Sequence, residues 1–553
     1  MADSTSIDAR NQDGHTECLQ PRARKPGKIE LLKPHMSDEL LRPNGYLREP
    51  PSCVSSGRST PIPADAPPSV QASSSARRQI RAQQKQRMFP SIEYVDRVSH
   101  FDPMSDYRDF RGFFVLFWIG LAIMVITSML RNYKDTGYPL SIRQWNLFTE
   151  KVWELGLSDG AMVASTALSL PLHKLYMSSF GVFRWNNLGM AIQSIYQAAW
   201  LTFWCSFPFI RDWSWTAQVF FTLHLLAIFM KMHSYAFYNG HLSETRRRLN
   251  DLDTPDTASK AAAYRYPQPR THLQEIPQSP SQAQNSQSVN GEKLRQLRED
   301  LAFELASPLG HVSYPQNLTL YNYADFIFCP TLCYELEYPR TPRIRWMEVF
   351  YKTLAVFGCI FLMTVTTEEF ILPVLDESAV RLQASQSISD FGLIMGETIG
   401  RLLFPFMVTF LLVFLVIFEY VLGAFAEITR FADRQFYADW WNSCDWLEFS
   451  REWNKPVHHF FRRHVYSASK NHTSRPVATV ITFLISALAH ELVMGCITRK
   501  FRGYGFFAMM LQMPIVMVQR SRFVRGRTLL NNVLFWCSMI LGLSMMCALY
   551  VLV

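Results

Sequence analysis

His490 and Glu491 stand next to each other inside residues 477–497, VATVITFLISALAHELVMGCI, a run long and apolar enough to cross a bilayer. An ionisable pair in hydrocarbon is costly, and by default it marks a function. A histidine that titrates near neutrality can accept the proton of a hydroxyl, a lipid's included. The bland alternative is a histidine hydrogen-bonded to a neighbouring helix. Glu491 has two readings: it orients or polarises the imidazole, or it is a buried acid kept protonated by desolvation. The pair opens like a zinc-protease HExxH, but position 494 is Met, so the second ligand is missing.

The other chemically dense stretch is 426–466, AEITRFADRQFYADWWNSCDWLEFSREWNKPVHHFFRRHVY. Trp440, Trp441, Trp446 and Trp453 lie among arginines and histidines. Aromatic rings beside cations suit a membrane interface or an amphipathic helix lying on it. They also suit a site for a large anion whose head stays in water while its acyl tail enters the membrane, since guanidinium and imidazole pair with phosphate.

The elements that must hold these residues are apolar helices. The chain is 48% hydrophobic, 14% aromatic and 18% charged, with a formal net charge of +9. Its mean hydropathy of −0.01 averages two unlike materials, a polar N-terminal tail and an apolar remainder. Runs near the ~20-residue spanning length lie at about 112–130, 158–178, 187–207, 214–232, 348–366, 402–424, 477–498, 503–518 and 529–553, so an all-α polytopic membrane protein of about nine transmembrane helices is expected. Residues 1–100, rich in Ser, Pro, Arg and Gln, cannot bury enough apolar surface to fold and read as a disordered cytosolic tail. Residues 251–310 read as a flexible cytosolic loop insertion, and 425–476 as a second cytosolic loop. Lys and Arg near the span ends, among them Lys231, Arg434 and Arg463, fall mostly on the side of that loop. This predicts a cytosolic N-terminus and a lumenal C-terminus. Residues 1–20 are polar and do not read as a secretory signal. The positive charge reads as orientation signal and contact with anionic membrane lipids, with no nucleic-acid pattern. The ten cysteines are scattered without a CxxC pair, so neither a disulfide framework nor a zinc site is indicated.

Phe436-Tyr437-Ala438-Asp439-Trp440-Trp441-Asn442 is a complete FYxDWWN signature. In it the chain resembles the acyl-CoA:sterol and acyl-CoA:diacylglycerol acyltransferases of the membrane-bound O-acyltransferase (MBOAT) superfamily. Trp453-Asn454 follows at the spacing of that family. Ser486-Ala487-Leu488-Ala489-His490-Glu491 is similar to its catalytic-histidine segment. Pro330-Thr331-Leu332-Cys333-Tyr334, Tyr338-Pro339-Arg340 and Ile344-Arg345-Trp346 resemble its PTLxY…YPR…RW block. The segment from Met230 to Gly240, KMHSYAFYNG after Met230, is similar to the fungal sterol branch. So are Gly526-Arg527-Thr528 and the stretch from Asn532 to Trp536. The resemblance covers roughly 105–553, the expected acyltransferase domain with an MBOAT-like fold.

The resemblance implies acyl transfer from acyl-CoA to the 3β-hydroxyl of a sterol, giving steryl esters for storage. It implies His490 as general base and Asn454 as the donor that stabilises the oxyanion. Read from its residue type alone, Asn454 is a loop asparagine satisfying backbone. Arg451, His458, Tyr466, Arg475 and Ser486 are implied acyl-CoA contacts, and Glu448 occupies a position where the animal enzymes differ. Asp439, Trp440 and Asn442 are expected to hold the loop's fold, within the motif Phe436, Tyr437, Asp439, Trp440, Trp441 and Asn442. Acyl-CoA is the implied co-substrate, with no permanently bound cofactor and no metal. The implied setting is the endoplasmic reticulum membrane, as a homo-oligomer, a dimer or tetramer. Three other readings stand beside this one. Diacylglycerol as acceptor needs the same chemistry. A transporter or channel also uses intramembrane His and Glu, although no repeat of spans is visible. A non-catalytic sterol-binding protein has no need to keep the complete motifs.

Overall fold

A computed structural model describes residues 92, 94–99, 111–139, 150–178, 181–252, 297–308, 310–521, 524 and 527–553. The rest of the expected tail and the 251–310 insertion lie largely outside the described residues. What is described is helical, with isolated bridges as the only strand-like pairing.

In chain order the helices are α1 Arg111–Thr136, α2 Val152–Ser165, α3 Ser169–Ser178, α4 Met190–Ile210 and α5 Trp215–Leu252. Next come α6 Leu320–Phe328, α7 Trp346–Thr366, α8 Leu372–Ala384, α9 Ile388–Phe414 and α10 Leu422–Ile428. The short α11 Trp446–Glu452, α12 Lys455–Phe460 and α13 Ser467–His472 precede α14 Arg475–Thr498, α15 Tyr504–Gln519 and α16 Thr528–Leu552. Each of the nine apolar runs is helical. Among the described residues, however, six helices are long and apolar enough to cross a membrane: Gly112–Thr136, Trp215–Leu252, Trp346–Ala384, Ile388–Ile428, Arg475–Thr498 and Thr528–Leu552. The run at 158–178 is broken by a 3₁₀ turn at Thr166–Leu168, and Tyr504–Gln519 is short. The interval 367–400, left between two of the expected runs, is a second departure. It is helical for most of its length, because a π turn at Thr367–Ile371 carries α7 into α8 and α9 begins at Ile388.

Two further π turns shape the interior. Leu415–Val421 joins α9 to α10, and Phe461–Tyr466 joins α12 to α13. A π turn inserts one residue and re-aims the side chains around it, a device common at functional sites. The first presents Glu419 inward and the second Arg463 and His464, all three buried.

The last residues of the stretch assigned to the tail, 94–99, are packed onto the protein. Tyr94 Oη is hydrogen-bonded to Thr331 Oγ1 at 2.5 Å. Arg97 pairs with Asp433 at 2.8 Å, and its backbone bridges to 432–434. Ser99 Oγ donates to Glu419 Oε2 at 2.5 Å. An aromatic ring and two residues with buried acceptors thus outweigh the polar composition around them. Deleting 1–90 is expected to leave a folded, active protein. Deleting 1–99 strips donors from buried carboxylates, at about 1–3 kcal/mol for each unsatisfied group. Yield and thermal stability of the two truncations in detergent check this. Equal stability would show that the strap contributes nothing.

Candidate functional site

Three segments that lie far apart in sequence build the support. Arg340 bridges to Phe431, Thr341 N–H donates to Arg430 O at 2.7 Å, and Ala432 N–H donates to Pro339 O at 3.0 Å. On the other side of 431–434 runs the 94–99 strap. Below them Glu427, fully buried at the end of α10, accepts from Arg345 and Arg434 together. The YPR…RW block is therefore the brace of the 425–476 loop.

The FYxDWWN residues sit in the core of that loop. Phe436, Tyr437 and Trp440 are buried. Trp440 packs edge-on against Phe410, Phe449 and Trp453. Tyr437 Oη donates to Glu419 at 3.0 Å, and Lys352 of α7 pairs with the same carboxylate at 3.0 Å. Asn442 Nδ2 lies 3.4 Å from Asp439 Oδ2. The carbonyl of Trp441 accepts from Asn532 Nδ2 and Trp536 Nε1, which binds the motif to α16. An amphipathic helix lying on the bilayer is not what forms here: α11 and α12 are short, and the central tryptophan is interior.

Asn454 is the N-cap of α12. Its Oδ1 accepts from Val457 N–H at 3.1 Å, which leaves the Nδ2 amide to donate. Arg451 lies in the last turn of α11. Burial lowers its guanidinium pKa first, and the nearby Arg520 adds to it. Burial pushes His458 down to about 3, with His459, Arg451 and Arg462 contributing, and takes His459 to about 4. His458 is therefore neutral at physiological pH and offers an N–H rather than a charge. Arg451, Arg462 and Arg520 are a crowd of cations that a polyanion would relieve. Tyr466 closes the π turn that packs against α14, and Arg475 opens α14 on an exposed turn.

α14 carries the histidine. Ser474 precedes it and Pro476 sits in its first turn, where a missing N–H costs nothing. His490 Nδ1 donates to the Ser486 carbonyl of its own helix at 2.8 Å. That bond assigns the proton to Nδ1 and leaves the Nε2 lone pair available.

The hydrogen bonds of Glu491 run to α15 and α16 rather than to His490. Its Oε1 accepts from Gly503 N–H at 2.7 Å, and its Oε2 accepts from Phe506 N–H at 3.1 Å and Tyr550 Oη at 2.8 Å. A carboxyl group receiving three donors caps the first turn of α15 and is clamped by α16. Two glycines permit the approach. A Cβ on Gly505 would meet Glu491 Oε2 at 3.1 Å, and one on Gly495 would meet the Phe501 ring at 2.2 Å. Glu491→Ala, which strips the acceptor from three donors, is expected to destabilise more than Tyr550→Phe, which removes the bond to Glu491 and the one accepted from Gly505 N–H and costs about 1–3 kcal/mol. Thermal midpoints of the two variants decide it, and equal midpoints would contradict the clamp.

Sequence reasoning missed several supports. Lys231 and Arg463 read as interfacial cations but are interior. Lys231 donates to Phe326 O and Cys329 O at the end of α6. Arg463 donates to Tyr334 O at 3.2 Å, pairs with Glu335 at 2.8 Å and lies over the Tyr238 ring. Ser234 accepts from Tyr334 N–H and is hydrogen-bonded to His464 Nε2 at 2.8 Å. At Gly240 a Cβ would lie 2.1 Å from the Trp185 indole. The KMHSYAFYNG segment thus locks α5 to the PTLCY block and to the π turn before α14. A charge inside an otherwise apolar segment was the signal available for Lys231. Among the described residues, no group of three or more His, Cys, Asp or Glu side chains is placed to hold a metal ion.

The membrane-bound O-acyltransferase family model matches residues 198–552. The chain is 39% identical over 447 residues to the probable sterol O-acyltransferase 2 of Schizosaccharomyces pombe, covering 80% of this chain and 87% of that protein. It is 34% identical to the sterol O-acyltransferase 2 of Candida albicans, covering 80% and 75%. A diacylglycerol O-acyltransferase 1 from Dictyostelium discoideum matches at 34% over 48% of this chain and 42% of its own. The chain belongs to the membrane-bound O-acyltransferase family and is an acyltransferase.

Proposed function

We propose that the protein transfers a long-chain fatty acyl group from acyl-CoA to the 3β-hydroxyl of a sterol of the ergosterol or cholesterol type. The reading is carried by His490, an imidazole with its tautomer fixed by its own helix and its Nε2 free, on an apolar helix that starts from the FYxDWWN loop. Nε2 takes the hydroxyl proton as the oxygen attacks the thioester carbonyl. The tetrahedral oxyanion takes a hydrogen bond from Asn454 Nδ2. Collapse expels the CoA thiolate, which the imidazolium protonates. CoA, being polyanionic, leaves to the cytosol, and the neutral ester partitions into the bilayer. The sterol acceptor is supported by relatives matching four-fifths of the chain, against a half-length match for diacylglycerol. The setting is the endoplasmic reticulum membrane, with the N-terminus and the 425–476 loop cytosolic and the C-terminus lumenal. The assembly is a homo-oligomer.

Arg451 and Arg475 are assigned to the CoA phosphates. Arg451→Gln and Arg475→Gln should raise KM for acyl-CoA about tenfold or more, from the roughly 1.5–3 kcal/mol of a charge-assisted hydrogen bond. KM for sterol should stay near its wild-type value. Steady-state kinetics with each substrate varied in turn test this. An unchanged acyl-CoA KM in both variants would remove these arginines from the site and leave His490 in place.

A further inference from the structure

Cys205 of α4 and Cys496 of α14 face each other with their sulfurs 3.8 Å apart. Both helices pack on α5, whose Thr222 hydrogen-bonds the Cys496 side chain. Cys496 is buried and Cys205 is half-buried. The pair lies at the end of α14 opposite the 425–476 loop. There Arg499, just past α14, pairs with Asp212 at 2.6 Å and donates to Trp213 O at 3.2 Å. This anchors the same two helix ends, and Cys496 is only three residues from Arg499.

We propose that Cys205 and Cys496 are a modification site, closed to a reversible disulfide by thiol–disulfide exchange with a small disulfide oxidant. The Cys205 thiolate attacks the oxidant's S–S bond, forms a mixed disulfide and releases one thiol. The Cys496 thiolate then attacks the Cys205 sulfur and releases the second thiol. The two cysteine protons end on the two released thiols, and the oxidant is reduced by two electrons. The inference rests on the proposed membrane topology in one respect: that topology puts the pair at the oxidising, lumenal face. The bond would tie α14 to α4 six residues beyond His490, about 9 Å along the helix.

The experiment uses the full chain in membranes opened with mild detergent, exposed to oxidised glutathione. Free thiols are blocked with a maleimide, the protein is denatured and digested, and the peptides are weighed. The expected result is a Cys205–Cys496 linked peptide that disappears on treatment with dithiothreitol and does not form in Cys205→Ser. Cys359, fully buried on α7, serves as the internal control and should remain a free thiol. Recovery of Cys205 and Cys496 as free thiols to the same extent as Cys359 would overturn the proposal. The wild-type result alone decides it, so a poorly folding variant costs nothing. The linkage is read by mass in opened membranes, so it stands or falls apart from the acyl-transfer reading and from the orientation of the chain.

Discussion

His490→Ala should lower turnover by about 10²–10⁴-fold, the usual contribution of a positioned general base, while the protein inserts and folds normally. Chemistry and stability separate here for a structural reason. Among the described residues, the hydrogen bond made by the ring runs to Ser486 O of the same helix, so truncation strands no partner on a neighbour. Asn454 is the harder partner to test, because its Oδ1 also caps α12. Asn454→Ala removes the cap, worth about 1 kcal/mol, along with the amide donor. Asn454→Asp keeps an acceptor for Val457 N–H, loses the donor and places a negative charge where the oxyanion would form. It should retain wild-type stability and lose about 10²–10³ in kcat. Purified variants assayed at saturating acyl-CoA, beside their thermal midpoints, separate the two effects. A His490→Ala protein with near-normal kcat would end the proposed mechanism.

The largest effect on stability is expected at Glu427. This carboxylate is fully buried and shared by Arg345 and Arg434, the latter almost as buried. Replacing it by Ala removes the carboxylate that the two guanidinium groups share. Breaking a buried ion pair from one side costs about 3–5 kcal/mol. The loss falls on the junction of 339–345 with 430–434, so the loop that carries Asn454 should loosen first. Limited proteolysis should therefore cut within 425–476 in Glu427→Ala before it cuts elsewhere, and the thermal midpoint should fall. Glu427→Gln keeps one acceptor and should lie between that variant and wild type. A Glu427→Ala protein as resistant as wild type would show that the brace is dispensable.

The apolar runs made the helices legible from sequence, because spanning length and hydropathy are local properties. The dense loop was legible for the same reason: four tryptophans among arginines and histidines need no neighbours to be noticed. What could not be read was which charges point inward. Lys231, Arg434 and Arg463 look like orientation signals in a string of letters, yet each is buried against carbonyls or a carboxylate from distant segments. Glu491 illustrates the same limit. Its neighbour in sequence is His490, but its donors come from residues twelve to fifty-nine positions away. The π turns at Leu415–Val421 and Phe461–Tyr466 shift the helical register, so a 3.6-residue pattern cannot anticipate what they present. The strap at 94–99 was hidden by composition, since a few pairing residues are diluted in a long polar stretch.

Sterol-directed acyl transfer with His490 as base is decided by one assay. Membranes containing the wild-type chain or His490→Ala receive labelled oleoyl-CoA with ergosterol, cholesterol or diacylglycerol, and the labelled lipids are separated. The wild-type chain should give labelled steryl ester and little or no triacylglycerol, and His490→Ala should give no ester above background. Triacylglycerol as the main wild-type product, or undiminished steryl ester from His490→Ala, would contradict the proposed reaction.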